Sequence, residues 1–277
     1  MWFWKVTPMA ACLCVLTAVS GSAQSVQVDS ARDSTRDSAR TAAPSSKSLS
    51  ITGAYTKADR LDAVASPRPF DGSGVSGGLS YRATSPRWMF QTSLEGATAN
   101  YLPNSGAATA TERAYSGSLG AGLTRWITSQ PNRSFGVGVS LNSWAEVLEH
   151  QYADPNQTTA SFMTGFATLG PSATFRQLIG GGEASISASV PLVGVVHQPY
   201  ADLRQEHGPI TFNAAGPAQL RGFDVGLRYE TSVNSRMGLV VEHRLRNFDY
   251  TGGWNTNSLT NTTSLGVVIR LGRKPGQ

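Results

Sequence analysis

Apolar and polar residues alternate with a period of two along most of this chain, in runs of roughly 9 to 16 residues, and no segment after the first two dozen residues carries a helical period. Val75, Leu79 and Tyr81 alternate with Ser76, Gly78 and Ser80, and Trp88, Phe90, Thr92 and Leu94 alternate with Met89, Gln91, Ser93 and Glu95. The same rhythm sets Phe135, Val137, Val139 and Leu141 against Gly136, Gly138, Ser140 and Asn142, and Ala184, Ile186, Ala188 and Val190 against Glu183, Ser185, Ser187 and Ser189. Successive side chains of a strand point to opposite faces, so each run predicts a long strand with one apolar face and one small, polar face. About ten such strands are predicted, near 48–57, 73–83, 87–101, 112–127, 133–148, 159–177, 182–196, 219–231, 236–248 and 261–271.

The connections alternate in length. Short ones fall at Thr84-Ser85-Pro86, Ser129 to Asn132, Ile179-Gly180-Gly181 and Ser232 to Ser235, and longer ones follow the odd-numbered strands. The last segment, Asn261 to Leu271, carries Ser264, Gly266, Ile269 and Leu271 in a polar-x-Gly-x-x-apolar-x-apolar order. This resembles the terminal-strand signal by which bacterial outer-membrane β-barrels are recognised for assembly, although it finishes on Leu271 where such signals usually finish on an aromatic residue. The segment Pro191 to Tyr200 similarly resembles a recurrent feature of uncharacterised outer-membrane β-barrel proteins. The resemblance implies an all-β fold, an antiparallel up-and-down transmembrane barrel of about ten strands over 48–271, located in the bacterial outer membrane. Short turns would then lie in the periplasm and longer loops outside. The barrel-assembly machinery, membrane lipid and lipopolysaccharide are the implied partners. A soluble, lipocalin-like barrel is the alternative class.

The first residues agree with export. Lys5 precedes an apolar run from Met9 to Val19 that ends in Ser20-Gly21-Ser22-Ala23, the layout of a cleaved signal peptide over 1–23. Cys12 and Cys14 both lie inside it, so cleavage leaves no thiol and no disulfide chemistry. Residues 24–47 contain the repeat Asp29-Ser30-Ala31-Arg32, Asp33-Ser34-Thr35-Arg36, Asp37-Ser38-Ala39-Arg40, with almost no large apolar side chain. Such a segment cannot offset the entropy of ordering and is expected to be a disordered periplasmic linker. Residues 272–277 form a short polar tail.

Charge refines the expected interior. Glu95, Glu146, Glu183, Asp224, Glu230 and Glu242 share the inward parity with Arg82, Arg228, Arg244, Arg246 and Arg270. Mixed signs on one face predict a paired lumen, and a three-residue turn at Val233-Asn234-Ser235 would set Asp224 opposite Arg244 with Glu242 beside them. A barrel of this size is close to the eight-stranded kind that side chains fill, so a plugged interior is expected in place of an open pore. Aromatic residues near strand ends supply candidate interfacial girdles: Tyr55, Trp88, Tyr101, Tyr115, Trp126, Phe135, Phe175, Tyr229, Phe248 and Tyr250, of which Trp126 falls on the inward parity.

Candidate chemistry is sparse. No nucleotide or metal motif is present: Gly180-Gly181-Gly182 reads as a turn and Gly72-x-Gly74 has no helix after it, so no cofactor is expected. The net charge of +5 and pI near 9.4 come from scattered Arg residues, which argues against nucleic acid. Outer-membrane proteases of the omptin family use Asp and His near the extracellular rim, where Asp154 with His150 and Asp202 with His207 lie here, but the local sequences do not match that family's motifs. No enzymatic role is expected. His243 has lipid-facing parity and reads as an interfacial residue. The long segment from His197 to Gln219, with His197, Tyr200, Arg204 and His207, is the candidate loop-binding region. A structural or surface-binding role is the leading expectation, a narrow solute channel the alternative, and a rim hydrolase the third.

Overall fold

Strand follows strand without a helix in the computed structural model, which describes residues 46–62, 70–103, 110–130, 132–152, 160–197, 212–252 and 256–271. The elements are β1 (Ser46–Asp62), β2 (Phe70–Thr84), β3 (Trp88–Pro103), β4 (Ala110–Ser129), β5 (Arg133–Tyr152), β6 (Ala160–Ile179), β7 (Gly182–Ser189), β8 (Val193–His197), β9 (Asn213–Ala215), β10 (Leu220–Ser232), β11 (Met237–Tyr250) and β12 (Thr256–Leu271). Each pairs antiparallel with its neighbours, β5 pairs with β6, and β1 pairs with β12 from Lys47↔Leu271 to Asp62↔Thr256. The sheet therefore closes on itself as ten staves, with β7 and β8 making one and β9 and β10 another. The signal peptide, residues 24–45 of the linker and the polar tail lie outside the described residues, while Ser46 and Lys47, expected at the end of the linker, open β1.

Closure has a physical reason that the surface makes plain. Ile51, Leu94 and Leu265 are 55, 58 and 63% exposed, and Val75, Leu79, Leu119, Leu141 and Val241 stand out beside them, while Thr52, Ser80, Ser93 and Asn142 of the same strands turn inward. Such an apolar exterior needs hydrocarbon around it, and a strand in hydrocarbon must pair every N–H and C=O. A transmembrane strand needs about 9–11 residues. β4, β5 and β6 have 20 each, so they extend well beyond the apolar belt.

The four short turns sit together at one end. Gly180 and Gly181 take φ of 57° and 81°, which only a two-residue turn of left-handed backbone demands, and they join β6 to β7. Ser85 closes the β2–β3 turn, with its amide donating to the Trp88 carbonyl at 2.7 Å and its hydroxyl accepting from the Trp88 amide at 3.0 Å. At the β10–β11 turn the Asn234 side-chain oxygen accepts from the amides of Arg236 and Met237 at 2.9 and 2.8 Å.

One predicted strand is interrupted, and one short strand lies where a loop was expected. The segment expected as one strand over 182–196 breaks into β7 and β8 at Pro191, which has no N–H for the ladder. Val190 and Leu192 on either side donate to the carbonyls of Pro171 and Leu169 at 3.2 and 3.0 Å, so pairing with β6 resumes at once. β9 falls within the segment expected as the long loop from His197 to Gln219: it pairs with β8, and a turn held by the Gln219 amide donating to the Gly216 carbonyl at 3.0 Å separates it from β10.

Candidate functional site

Ten inward charges form seven ion pairs, in two layers, inside the barrel. Toward the short-turn end, Glu183 accepts from Arg82 at 3.2 Å and lies 3.6 Å from Arg176. The Arg176 guanidinium also sits 5.1 Å from the centre of the Trp126 ring, which is buried. Nearby, Arg228 pairs with Glu230 at 3.1 Å and with Glu242 at 3.5 Å and donates to the Ser50 hydroxyl at 3.1 Å. Glu230 takes a second cation, Arg270, at 3.0 Å. Alternation places all of these on one face of β1, β2, β6, β7, β10, β11 and β12, and closure brings those faces together.

The second layer lies at mid-height. Asp224 accepts from Arg244 Nε at 2.7 Å and from the Arg244 terminal nitrogen through its other oxygen, and Arg246 approaches at 3.3 Å. The register differs from the one the turn length suggested: Asp224 lies directly opposite Arg246, Gly226 faces Arg244 and Arg228 faces Glu242. Ser232 pairs with Gly238, so the connection is two residues longer than expected, and a shift of two keeps every side chain on its face. The Asp224–Arg244 pair survives as a diagonal contact. Glu95 and Arg244 line the same cavities.

Aromatic side chains close the long-loop half. Phe166 stacks on Phe248 with ring centres 3.9 Å apart and planes 8° from parallel, and Trp144 lies 5.5 Å from Phe166. Phe248 and Tyr250 pack with Val196, Ala215 and Leu220, while Tyr101 packs with Ala58, Phe70, Ala114 and Leu148 in a second cluster. The girdle expectation is corrected here for Tyr101, Phe248 and Tyr250, which point inward and are at most 5% exposed. Their parity with Glu95 and Arg246 outweighs their aromatic character. Trp126 likewise is inside, whereas Tyr55, Trp88, Tyr115, Phe135 and Tyr229 stand on the outer surface. Glu146 and Glu112 are also buried in this half, 4 and 2% exposed.

Between these layers lie cavities of about 170, 80 and 20 Å³. The two larger ones adjoin at Glu95, Arg244 and Thr262.

Of the assembly-signal residues, Ser264 turns inward and donates to the Glu242 carbonyl at 3.4 Å, and Leu271 faces out. Ile269 pairs with Leu49 and Met237. Gly266 lies at the β1–β12 seam, where an added Cβ would stand 2.2 Å from the Ile51 carbonyl oxygen. His197 is buried, its ring 5.6 Å from Phe212. Tyr200, Arg204 and His207, with Asp154 and Asp202, lie outside the described residues. His150 pairs in register with Glu112. His243 faces outward, its Nδ1 3.0 Å from the Thr263 hydroxyl. Arg176 and Glu112 were missing from the expected network, although Glu112 shares the inward parity assigned to Trp126 on the same strand.

No protein-family model matches the chain, and no curated protein sequence matches it. Among solved structures it is similar to the outer-membrane protease OmpT from Escherichia coli, at 11% identity and a TM-score of 0.47, over 82% of this chain and 96% of that one. It is also similar to the translocator domain of the autotransporter NalP from Neisseria meningitidis, at 10% identity and 0.48, over 84 and 91%. Ail, the attachment invasion locus protein of Yersinia pestis, matches at 11% and 0.38, over 82 and 99%. With its own closed ten-stave antiparallel sheet, apolar exterior, and short turns gathered at one end, this chain has the fold of a transmembrane β-barrel of the outer-membrane type.

Proposed function

We propose that this barrel is sealed and works from its surface, as a structural element of the outer membrane or as a binder through its extracellular loops, and that it is not an enzyme. One observation carries the reading: the side chains that cross the lumen bond to one another, in two ion-pair layers and one aromatic stack. A lumen whose charges are mutually neutralised offers a solute neither width nor unmet charge. Strands of 20 residues carry the barrel past the lipid and present the loops to partners outside. Lipid around the belt, lipopolysaccharide at the extracellular rim and the assembly machinery at β12 are the partners this reading implies.

Liposome swelling tests it. Proteoliposomes holding the folded barrel should swell in small sugars no faster than protein-free vesicles. Swelling that scales with protein content would overturn the sealed reading in favour of the narrow channel, for which the adjoining cavities at Glu95 and Arg244 are the natural path.

A further inference from the structure

The outer surface is electrically lopsided. At the long-loop end its charges are matched: Lys57 stands with Asp59 and Asp71, Arg113 pairs in register with Glu149, and Arg221 with Asp249. At the short-turn end Lys47, Arg87, Arg125, Arg133 and Arg236 are all exposed, and among the described residues none of the five has an acidic partner. The acids of that end, Glu183 and Glu230, are turned inward and already hold two arginines each.

Four of the five form a continuous arc across β1 to β5. Lys47 opens β1, Arg87 is in the β2–β3 turn, Arg125 is on β4 and Arg133 opens β5. Three of them share the outward parity of belt residues on their own strands: Lys47 with Ile51, Arg125 with Leu123 and Ile127, Arg133 with Phe135. They therefore project sideways at the edge of the apolar belt and not down along the barrel axis. Arg125 is held 5.8 Å from the centre of the exposed Trp88 ring, its cross-strand partner. An indole at the hydrocarbon edge with a guanidinium over it puts positive charge at headgroup depth.

We propose that this arc binds the anionic phospholipid headgroups of the periplasmic leaflet. Charge complementarity and continuity with the lipid-facing belt commit the surface to lipid: the same side chains that border the hydrocarbon carry the unmatched charge. Phosphate is the chemistry recognised, by guanidinium forks that accept it with two parallel hydrogen bonds.

The test uses the full-length protein folded into vesicles of uniform composition, so that the readout is independent of the direction of insertion. Quenching of tryptophan fluorescence by brominated phosphatidylglycerol is compared with quenching by brominated phosphatidylcholine at equal mole fraction. Each basic side chain at an anionic surface accounts for about fivefold in association. A preference for the anionic lipid of about fivefold or more is expected, lost in the combined variant Lys47→Gln, Arg87→Gln, Arg125→Gln, Arg133→Gln and kept in Lys57→Gln, Arg113→Gln, Arg221→Gln. Equal quenching by the two lipids, or a preference that survives the first variant, overturns the proposal. So does binding of sedimented peptidoglycan that this variant abolishes while its lipid preference is unchanged. If the first variant does not fold, the unaltered protein decides the matter: its preference must fall between about 0.01 and 1 M salt, where screening shortens from about 30 to 3 Å, and a salt-independent preference overturns it.

Discussion

Asp224 and Arg244 grip each other across β10 and β11 by two hydrogen bonds, Nε to Oδ1 at 2.7 Å and a second through the other carboxylate oxygen, in a register where they are not direct partners. The direct partner, Arg246, adds a third contact at 3.3 Å. One carboxylate thus holds two guanidinium groups at the centre of the lumen.

Removing that carboxylate should be far worse than removing either cation. Asp224→Asn leaves two buried arginines facing each other and should cost about 3–5 kcal/mol, whereas Arg244→Met leaves Arg246 on Asp224 and should cost less. Urea unfolding in micelles, followed by loss of heat-modifiable gel mobility, measures the order.

Phe248→Ala should destabilise by about 3–5 kcal/mol, because it removes both the stack on Phe166 and the packing against Tyr250 and Leu220. Phe135, exposed on the outer surface, should tolerate alanine with a much smaller loss in the same unfolding assay.

At the closing seam, Gly266→Val should impair barrel formation by about 1–3 kcal/mol or more, since even Cβ meets the Ile51 carbonyl at 2.2 Å. Gly53→Ala on the adjacent strand has nothing within 4 Å and should fold normally. The folded fraction on unboiled gels separates the two.

Period-two alternation made the barrel legible, because a strand with one wet and one apolar face leaves its mark at every residue of β2, β3 and β5. The turn at Gly180 and Gly181 was equally plain, since left-handed backbone nearly names its residue. Register was not. The β10–β11 offset depends on how Asn234 folds the connection, a choice of two residues that leaves hydrophobic patterning unchanged. Tyr101, Phe248 and Tyr250 were misplaced because an aromatic residue near a strand end suits either an interfacial girdle or a lumen plug, and parity, which was available, discriminates. Arg176 was legible by the same rule from Thr174 and Ser172, its neighbours on the inner face. The break between β7 and β8 was legible in Pro191 itself, which has no N–H to give the ladder.

If the ion pairs are what close the short-turn half, replacing two of that layer's four arginines should open it. Arg82→Ala with Arg228→Ala removes side chains that hold Glu183, Glu230 and Glu242 in place, and should convert a silent barrel into one with brief, cation-favouring openings. Ion selectivity under a salt gradient checks the sign.

Single-channel recording of the unaltered, folded protein in a planar bilayer is the most direct trial of the sealed lumen. A quiet membrane across the physiological voltage range, with protein insertion verified by its heat-modifiable mobility, is the predicted result. Stable, stepwise conductance from the same preparation would contradict it.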